Sequence, residues 1–121
     1  MMPFIVSRTN VTISDKQEQR LKTLLGKAIE LVPGKSEQAL MLVFEPMSHI
    51  WLRGDNATAT AYIEVSVWGN EHHRGYEMLT AEITRIFNQV LNVEPENVYV
   101  RYADIPCWGA AGMTFDRNNY L

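Results

Sequence analysis

The first apolar run, residues 3–9 (PFIVSRT), is β-branched and aromatic and turns polar at its end, as a strand does. Ser14-Asp15-Lys16-Gln17 follows with the spacing of a capping box, in which the serine hydroxyl accepts from a helix N–H and the glutamine reaches back. Leu21, Leu24, Leu25, Ala28, Ile29 and Val32 recur at helical spacing and make one apolar stripe, which Pro33-Gly34 ends. Residues 39–45 (ALMLVFE) are almost continuously apolar, as expected of a strand buried on both faces. Residues 46–56 read as a loop with room for a short strand at 49–52. Residues 57–67 (ATATAYIEVSV) form the next strand, which Gly69 and Asn70 end. A second helix is expected over residues 75–91, with Leu79, Ile83, Ile86, Phe87, Val90 and Leu91 inward. Residues 98–103 (VYVRYA) make a further strand, and two short apolar pieces after Asp104 suit a hairpin.

The pattern is strand–helix–strand twice over, in residues 3–46 and 57–103. The fold class expected is therefore α/β (α+β): two βαβ units forming one mixed four-stranded sheet, two helices on one face, and short C-terminal strands. Right-handed crossovers place both helices on the same side if the units pack side by side. Two such helices cover one face only, yet the run from Leu40 to Phe44 is apolar on both sides. Copies of the chain are the simplest cover for the other face, so an obligate oligomer is expected.

Composition narrows the function. The 121 residues suit one domain spanning 1–121, and 46% apolar content is that of a folded protein. A net charge of −3 leaves no dominant basic face, which argues against nucleic acid or a membrane surface as partner. Cys107 is the single cysteine, so neither an internal disulfide nor a CxxC pair can form. The N-terminus lacks the basic start and apolar run of a signal peptide, and no apolar stretch approaches the roughly 20 residues of a membrane helix. The triplets Asn10-Val11-Thr12 and Asn56-Ala57-Thr58 then read as chance glycosylation matches in a soluble, reduced, cytoplasmic protein. His72 and His73 are adjacent, so their side chains diverge, and no third ligand is placed with them. No metal or cofactor is expected.

Several pieces together carry a resemblance. Pro3-Phe4-Ile5-Val6 with Thr9-Asn10-Val11, the Gly34-Lys35 step, Val98-Tyr99-Val100-Arg101-Tyr102 with Asp104, and Gly109 with Thr114-Phe115 span essentially the whole chain. In order and spacing they resemble the macrophage migration inhibitory factor and D-dopachrome tautomerase family of the tautomerase superfamily. That resemblance implies a homotrimer with sites between neighbouring subunits. It also implies a cofactor-independent keto–enol tautomerase of the phenylpyruvate or dopachrome type, an isomerase acting on small enols and α-keto acids.

Such chemistry needs a base whose pKa lies near working pH. An N-terminal amine starts at about 7.7–8.0, and burial lowers it. In the family the nitrogen of an N-terminal proline is that base, and Pro3 holds the position here; the alternative is a proline that simply starts an edge strand. Lys35 matches the lysine that engages the substrate's anionic end, or is an ordinary solvated lysine. Tyr99 and Arg101, two apart on a strand, project to one face. Their family equivalents enter the pocket from the neighbouring subunit. Arg101 stands where the inhibitory-factor branch has asparagine and suits a carboxylate through paired hydrogen bonds, or serves an intersubunit salt bridge.

Trp68 stands where the family has an isoleucine whose backbone amide lines the site. Trp108 and Phe115 would be apolar walls or plain core. Ala39 and Ala110 replace rim aromatics, which weakens the expected grip on aromatic substrates. Two methionines precede Pro3. Removal of an initiator methionine needs a small next residue, which suits Met2 before Pro3 but not Met1 before Met2. With both retained, the nitrogen of Pro3 is a non-basic amide and Met2 can plug the pocket. The competing reading is a weakly active or inactive binding or signalling trimer; a plain structural oligomer follows only if Trp68 or Trp108 fills the pocket.

Overall fold

A computed structural model describes residues 2–120. Strand β1 (Phe4–Thr9) runs parallel to β2 (Met41–Glu45) on one side and antiparallel to β3 (Ala61–Val67) on the other, and β3 is parallel to β4 (Val98–Asp104). The sheet order is β2-β1-β3-β4, so each parallel pair is one βαβ unit and the antiparallel β1–β3 seam joins the units. Helices α1 (Asp15–Ala28) and α2 (Tyr76–Leu91) are the crossovers. Strands β5 (Cys107–Ala110) and β6 (Met113–Asp116) form a separate antiparallel hairpin. The two units, the mixed sheet and the terminal hairpin are as the sequence pattern implies.

Strict alternation explains the layering. Ala61, Ile63, Val65 and Val67 have no exposed surface, whereas Tyr62, Glu64 and Ser66 between them are half-buried. Register sets Ile5 against Val65 and Ser7 against Ile63, which puts them on the same side. Leu21, Leu25 and Ile29 from the first unit and Leu79, Ile83, Ile86 and Phe87 from the second close over that side. Each large apolar side chain so enclosed contributes about 1.5–3 kcal/mol. Ser7 and Thr9 are polar exceptions: Thr9 Oγ1 donates to the Val11 carbonyl at 3.2 Å, while the Ser7 hydroxyl is enclosed with no hydrogen-bond partner among the described residues.

The capping box forms. Gln17 N donates to Ser14 Oγ at 3.2 Å, and Ser14 N donates to Gln17 Oε1 at 2.9 Å. The helix ends earlier than Pro33, however, because Ile29–Leu31 tightens into a 3-10 turn. Gly75, at φ 81°, stands immediately before α2, and a Cβ there would run into the carbonyl of Leu31. Backbone and space both demand glycine where the two units meet.

Three expectations need correction. Residues 57–60 are not strand, because side chains take over their backbone groups: Asn10 Nδ2 donates to the Thr58 carbonyl at 2.9 Å, Thr60 N donates to Asn10 Oδ1 at 2.8 Å, and Ala57 N donates to Asp55 Oδ1 at 2.7 Å. Residues 49–52 contain only an isolated bridge between Leu52 and Asp55. The apolar run 39–45 is not buried on both faces. Ala39 lies in a 3-10 turn, and β2 is an edge strand whose Met41 is 63% exposed.

The face opposite the helices carries charge that the pattern did not signal. Arg8 Nε donates to Glu45 at 2.9 Å, Arg8 also binds Glu64, and Arg101 Nη1 reaches Glu64 at 3.3 Å. Glu45, Arg8, Glu64 and Arg101 thus form a row of alternating sign across all four strands.

Two measurements check this account. Gly75→Ala should lower stability by about 2 kcal/mol or more, since a strained φ and a collision coincide. Ser14→Ala should cost only about 1 kcal/mol. Urea denaturation at fixed protein concentration reads both, and the order of the two effects is the test.

Candidate functional site

The antiparallel seam places the beginning of β1 beside the end of β3. Phe4, the first paired residue of β1, is opposite Ser66, so Pro3, one step before it, lies toward the Val67–Trp68 end of β3. Pro3 is buried, and its carbonyl accepts from Met41 N at 3.2 Å. Met2 is also buried, only 8% exposed, outside the core between helices and sheet. Its φ of 58° is a left-handed conformation that residues other than glycine rarely adopt.

Lys35 joins this end of the sheet from the first unit. Gly34, at φ 77°, turns the chain after α1, and Lys35 N donates to the Val32 carbonyl at 3.1 Å. The side chain runs inward, is 8% exposed, and its Nζ donates to the Trp68 carbonyl at 2.6 Å. A buried ammonium needs such an acceptor, because its desolvation would otherwise drive it out. The Trp68 backbone thus presents its carbonyl to Lys35.

Trp68 also fixes the apolar wall. Its Nε1 donates to the Phe115 carbonyl at 3.1 Å, and the two rings meet edge to face with centroids 6.5 Å apart. Trp108, half-buried, pairs with Phe115 across the hairpin. Pro3, Lys35, Trp68, Phe115 and Trp108 therefore belong to one end of the molecule, drawn from β1, the α1–β2 turn, β3 and the hairpin.

Tyr99 and Arg101 do not join them within one chain. Both lie on the open face of β4, Tyr99 55% exposed. Arg101 is opposite Glu64, three positions short of Val67, or about 10 Å along the strand. Tyr62, and next Glu64, hold the Arg101 guanidinium above its ordinary pKa. Ala39 is exposed in its turn, and Ala110 is half-buried opposite Met113. An open groove of about 580 Å³ lies elsewhere: Leu24, Leu31, Met78 and Ala81 line it between the outer sides of the helices. His73 stacks on Tyr76 at 5.5 Å, and no group of three His, Cys, Asp or Glu side chains suited to a metal occurs among the described residues.

Sequence reasoning missed two clusters around this end. Asp104 accepts from Asn70 N at 3.1 Å through one oxygen and from Arg117 Nη1 at 2.6 Å through the other. The Arg117 pKa is raised, chiefly by that bond. Tyr76 and Tyr102 stack at 4.1 Å, and burial pushes both phenols above their ordinary pKa. These are long-range pairings with no local periodicity. Asp104 stood out only as part of the resemblance, and Arg117 not at all.

No protein-family model and no curated protein matches the chain. Solved structures do. Leishmania major MIF2 is 26% identical with a TM-score of 0.87, the alignment covering 94% of this chain and 97% of that one. A macrophage migration inhibitory factor-like protein from Entamoeba histolytica is 18% identical with a TM-score of 0.83, covering 95% and 100%. The protein Pt0534, in a structure inactivated by 2-oxo-3-pentynoate, is 15% identical with a TM-score of 0.81, covering 97% and 98%. The structural neighbours of this chain are therefore macrophage migration inhibitory factors and MIF-like proteins of the tautomerase superfamily, and the chain has their fold.

Proposed function

We propose that this chain, in the form in which Pro3 is the first residue, is a cofactor-independent keto–enol tautomerase for phenylpyruvate-like α-keto acids. The observation that carries the reading is the buried Lys35, whose Nζ donates to the Trp68 carbonyl beside the Trp68–Phe115 wall, at the end of β3 toward which the β1–β3 register directs the buried Pro3. The free imino nitrogen removes a proton from the carbon next to the ketone. The C–H electron pair becomes the C=C bond of the enol, the carbonyl π pair moves to oxygen, and that oxygen takes a proton from water, while the protonated nitrogen gives its own proton up to water and is reset as a base. In ketonisation the protonated nitrogen delivers a proton to that carbon and the enol oxygen loses its proton to water. Lys35 holds the anionic end of the substrate, and hydrogen-bond donors aimed at developing negative charge lower the barrier.

The reading includes a homotrimer. One chain keeps Tyr99 and Arg101 away from Pro3, while the sheet face that bears them is not covered by either helix. A neighbouring copy packed against that face brings its Tyr99 and Arg101 to the Pro3 of the next, where the guanidinium pairs with the substrate carboxylate. Inactivation of the structural relative Pt0534 by a 2-oxo acid agrees with an acid of this class. While Met2 remains attached, the nitrogen is an amide and the buried methionine stands at the site; that form is a binding protein at most. The expected compartment is the cytoplasm.

Protein trimmed to Pro3, as verified by intact mass, should interconvert the enol and keto forms of phenylpyruvate in an ultraviolet assay, and untrimmed protein should not. Pro3→Gly in the trimmed form should lower kcat about 100-fold or more. A trimmed, trimeric and inert protein overturns the reading. The base must be unprotonated, so kcat/KM should fall as pH drops through the amine pKa, which burial holds below about 7.7–8.0. Arg101→Ala should raise KM about tenfold or more, the loss of a charge-assisted hydrogen bond, and sedimentation should give the mass of a trimer.

A further inference from the structure

The β5–β6 hairpin, which supplies Phe115 and Trp108, pairs with no strand of the main sheet. Four polar contacts among the described residues bear on its position. Ile105 N donates to the Val67 carbonyl at 2.8 Å as the chain leaves β4, and Arg117 N donates to the Pro106 carbonyl at 2.8 Å, closing the hairpin's base. The third is the Trp68 indole on the Phe115 carbonyl. The fourth is the Arg117 side chain, whose Nη1 lies 2.6 Å from Asp104 Oδ2 and 3.4 Å from Glu71 Oε2.

Asp104 is placed to tie both sides of the wall. It ends β4 opposite Val67, the residue before Trp68. Its Oδ1 accepts from Asn70 N, two residues after Trp68, while its Oδ2 holds Arg117, two residues after Phe115. The Asp104 side chain is only 14% exposed and that of Arg117 27%, so solvent screens this pair less than it does the open-face ion pairs. One carboxylate thus connects the turn that carries the Trp68 end of β3 to the segment that carries Phe115.

We propose that Asp104 and Arg117 are a positioning pair for the candidate site: their contact holds the hairpin so that Phe115 stays seated on Trp68, which in turn keeps the Trp68 carbonyl on Lys35. Neither residue touches the substrate. They set the shape of its apolar wall, and so act on binding rather than on the proton transfer at Pro3. This role for the wall rests on the tautomerase reading above; the mechanical link between Arg117 and Trp68 does not.

The test uses the full chain and its trimmed form, with Arg117→Met, Arg117→Lys and Asp104→Asn. The first readout is hydrogen exchange at the Trp68 indole N–H, assigned in an amide and indole NMR spectrum by the loss of its signal in Trp68→Phe. Arg117→Met and Asp104→Asn should speed that exchange about tenfold, the effect of losing a charge-assisted bond, while amides of β1 and β3 keep their protection. Arg117→Lys, which retains the charge, should restore most of it. The second readout is phenylpyruvate turnover by trimmed protein, where KM should rise about fivefold or more with kcat within about twofold of the parent.

Unchanged indole exchange in Arg117→Met overturns the proposal. So does exchange that rises equally in β1 and β3, which would make the pair a general strut. So does a fall in kcat at constant KM. If trimmed parent protein is inert, the tautomerase reading fails by itself, and the exchange experiment still decides whether Arg117 governs Trp68.

Discussion

The antiparallel seam between β1 and β3 is the constraint on which the molecule depends. Each βαβ unit alone, one helix on two strands, is too short a stretch of chain to bury the apolar surface that stability requires. Joining the units through β1 and β3 makes a common core from Ile5, Ile63, Val65 and the inner sides of both helices. The same seam sets the start of the first strand against the end of the third, so a residue near the N-terminus and the turn after Val67 become neighbours. Core and site thus follow from one register. Because side chains alternate along a strand, a slip of one residue there would exchange the buried and open sets together.

The two sides of the sheet do different work. The helix side is apolar and closed, with Ser7 and Thr9 as small polar intrusions. The other side combines Val6 and Val43 with the Glu45–Arg8–Glu64–Arg101 row. Glu64, shared by two arginines, holds Arg8 above its ordinary pKa by a hydrogen bond, with Glu45 adding to the effect. Exposed pairs of this kind add little to the stability of a lone chain. They fix the direction in which Arg101 points, which matters more if another copy lies against this face.

Much of this was legible in the order of residues. Helical periodicity marked both helices, because each buries one side and exposes the other, and β-branched and aromatic content marked β1. The capping box at Ser14 and Gln17 was readable because its chemistry is local. The extent of β3 was not: the threonines of residues 57–60 read as strand, and it is Asn10, about fifty positions away, together with Asp55 that diverts their backbone groups. The apolar run at β2 looked central although it lies at an edge, since composition reports a preference for burial without saying what provides it. At the site, Pro3, Lys35, Trp68 and Phe115 were readable through resemblance. The Asp104–Arg117 contact was not, because a distant ion pair leaves no periodic trace.

On their outer sides β2 and β4 have no strand neighbour among the described residues. An unpaired strand invites another chain to bond along it. Any contact that satisfies one border with the opposite border of an identical molecule is heterologous, and such contacts either come full circle or propagate as a filament. Rotation between successive copies decides which. Exposed Met41 lies on one border and Tyr99 on the other, so substitutions at these two positions bear on whether the protein makes a finite ring or an endless fibre.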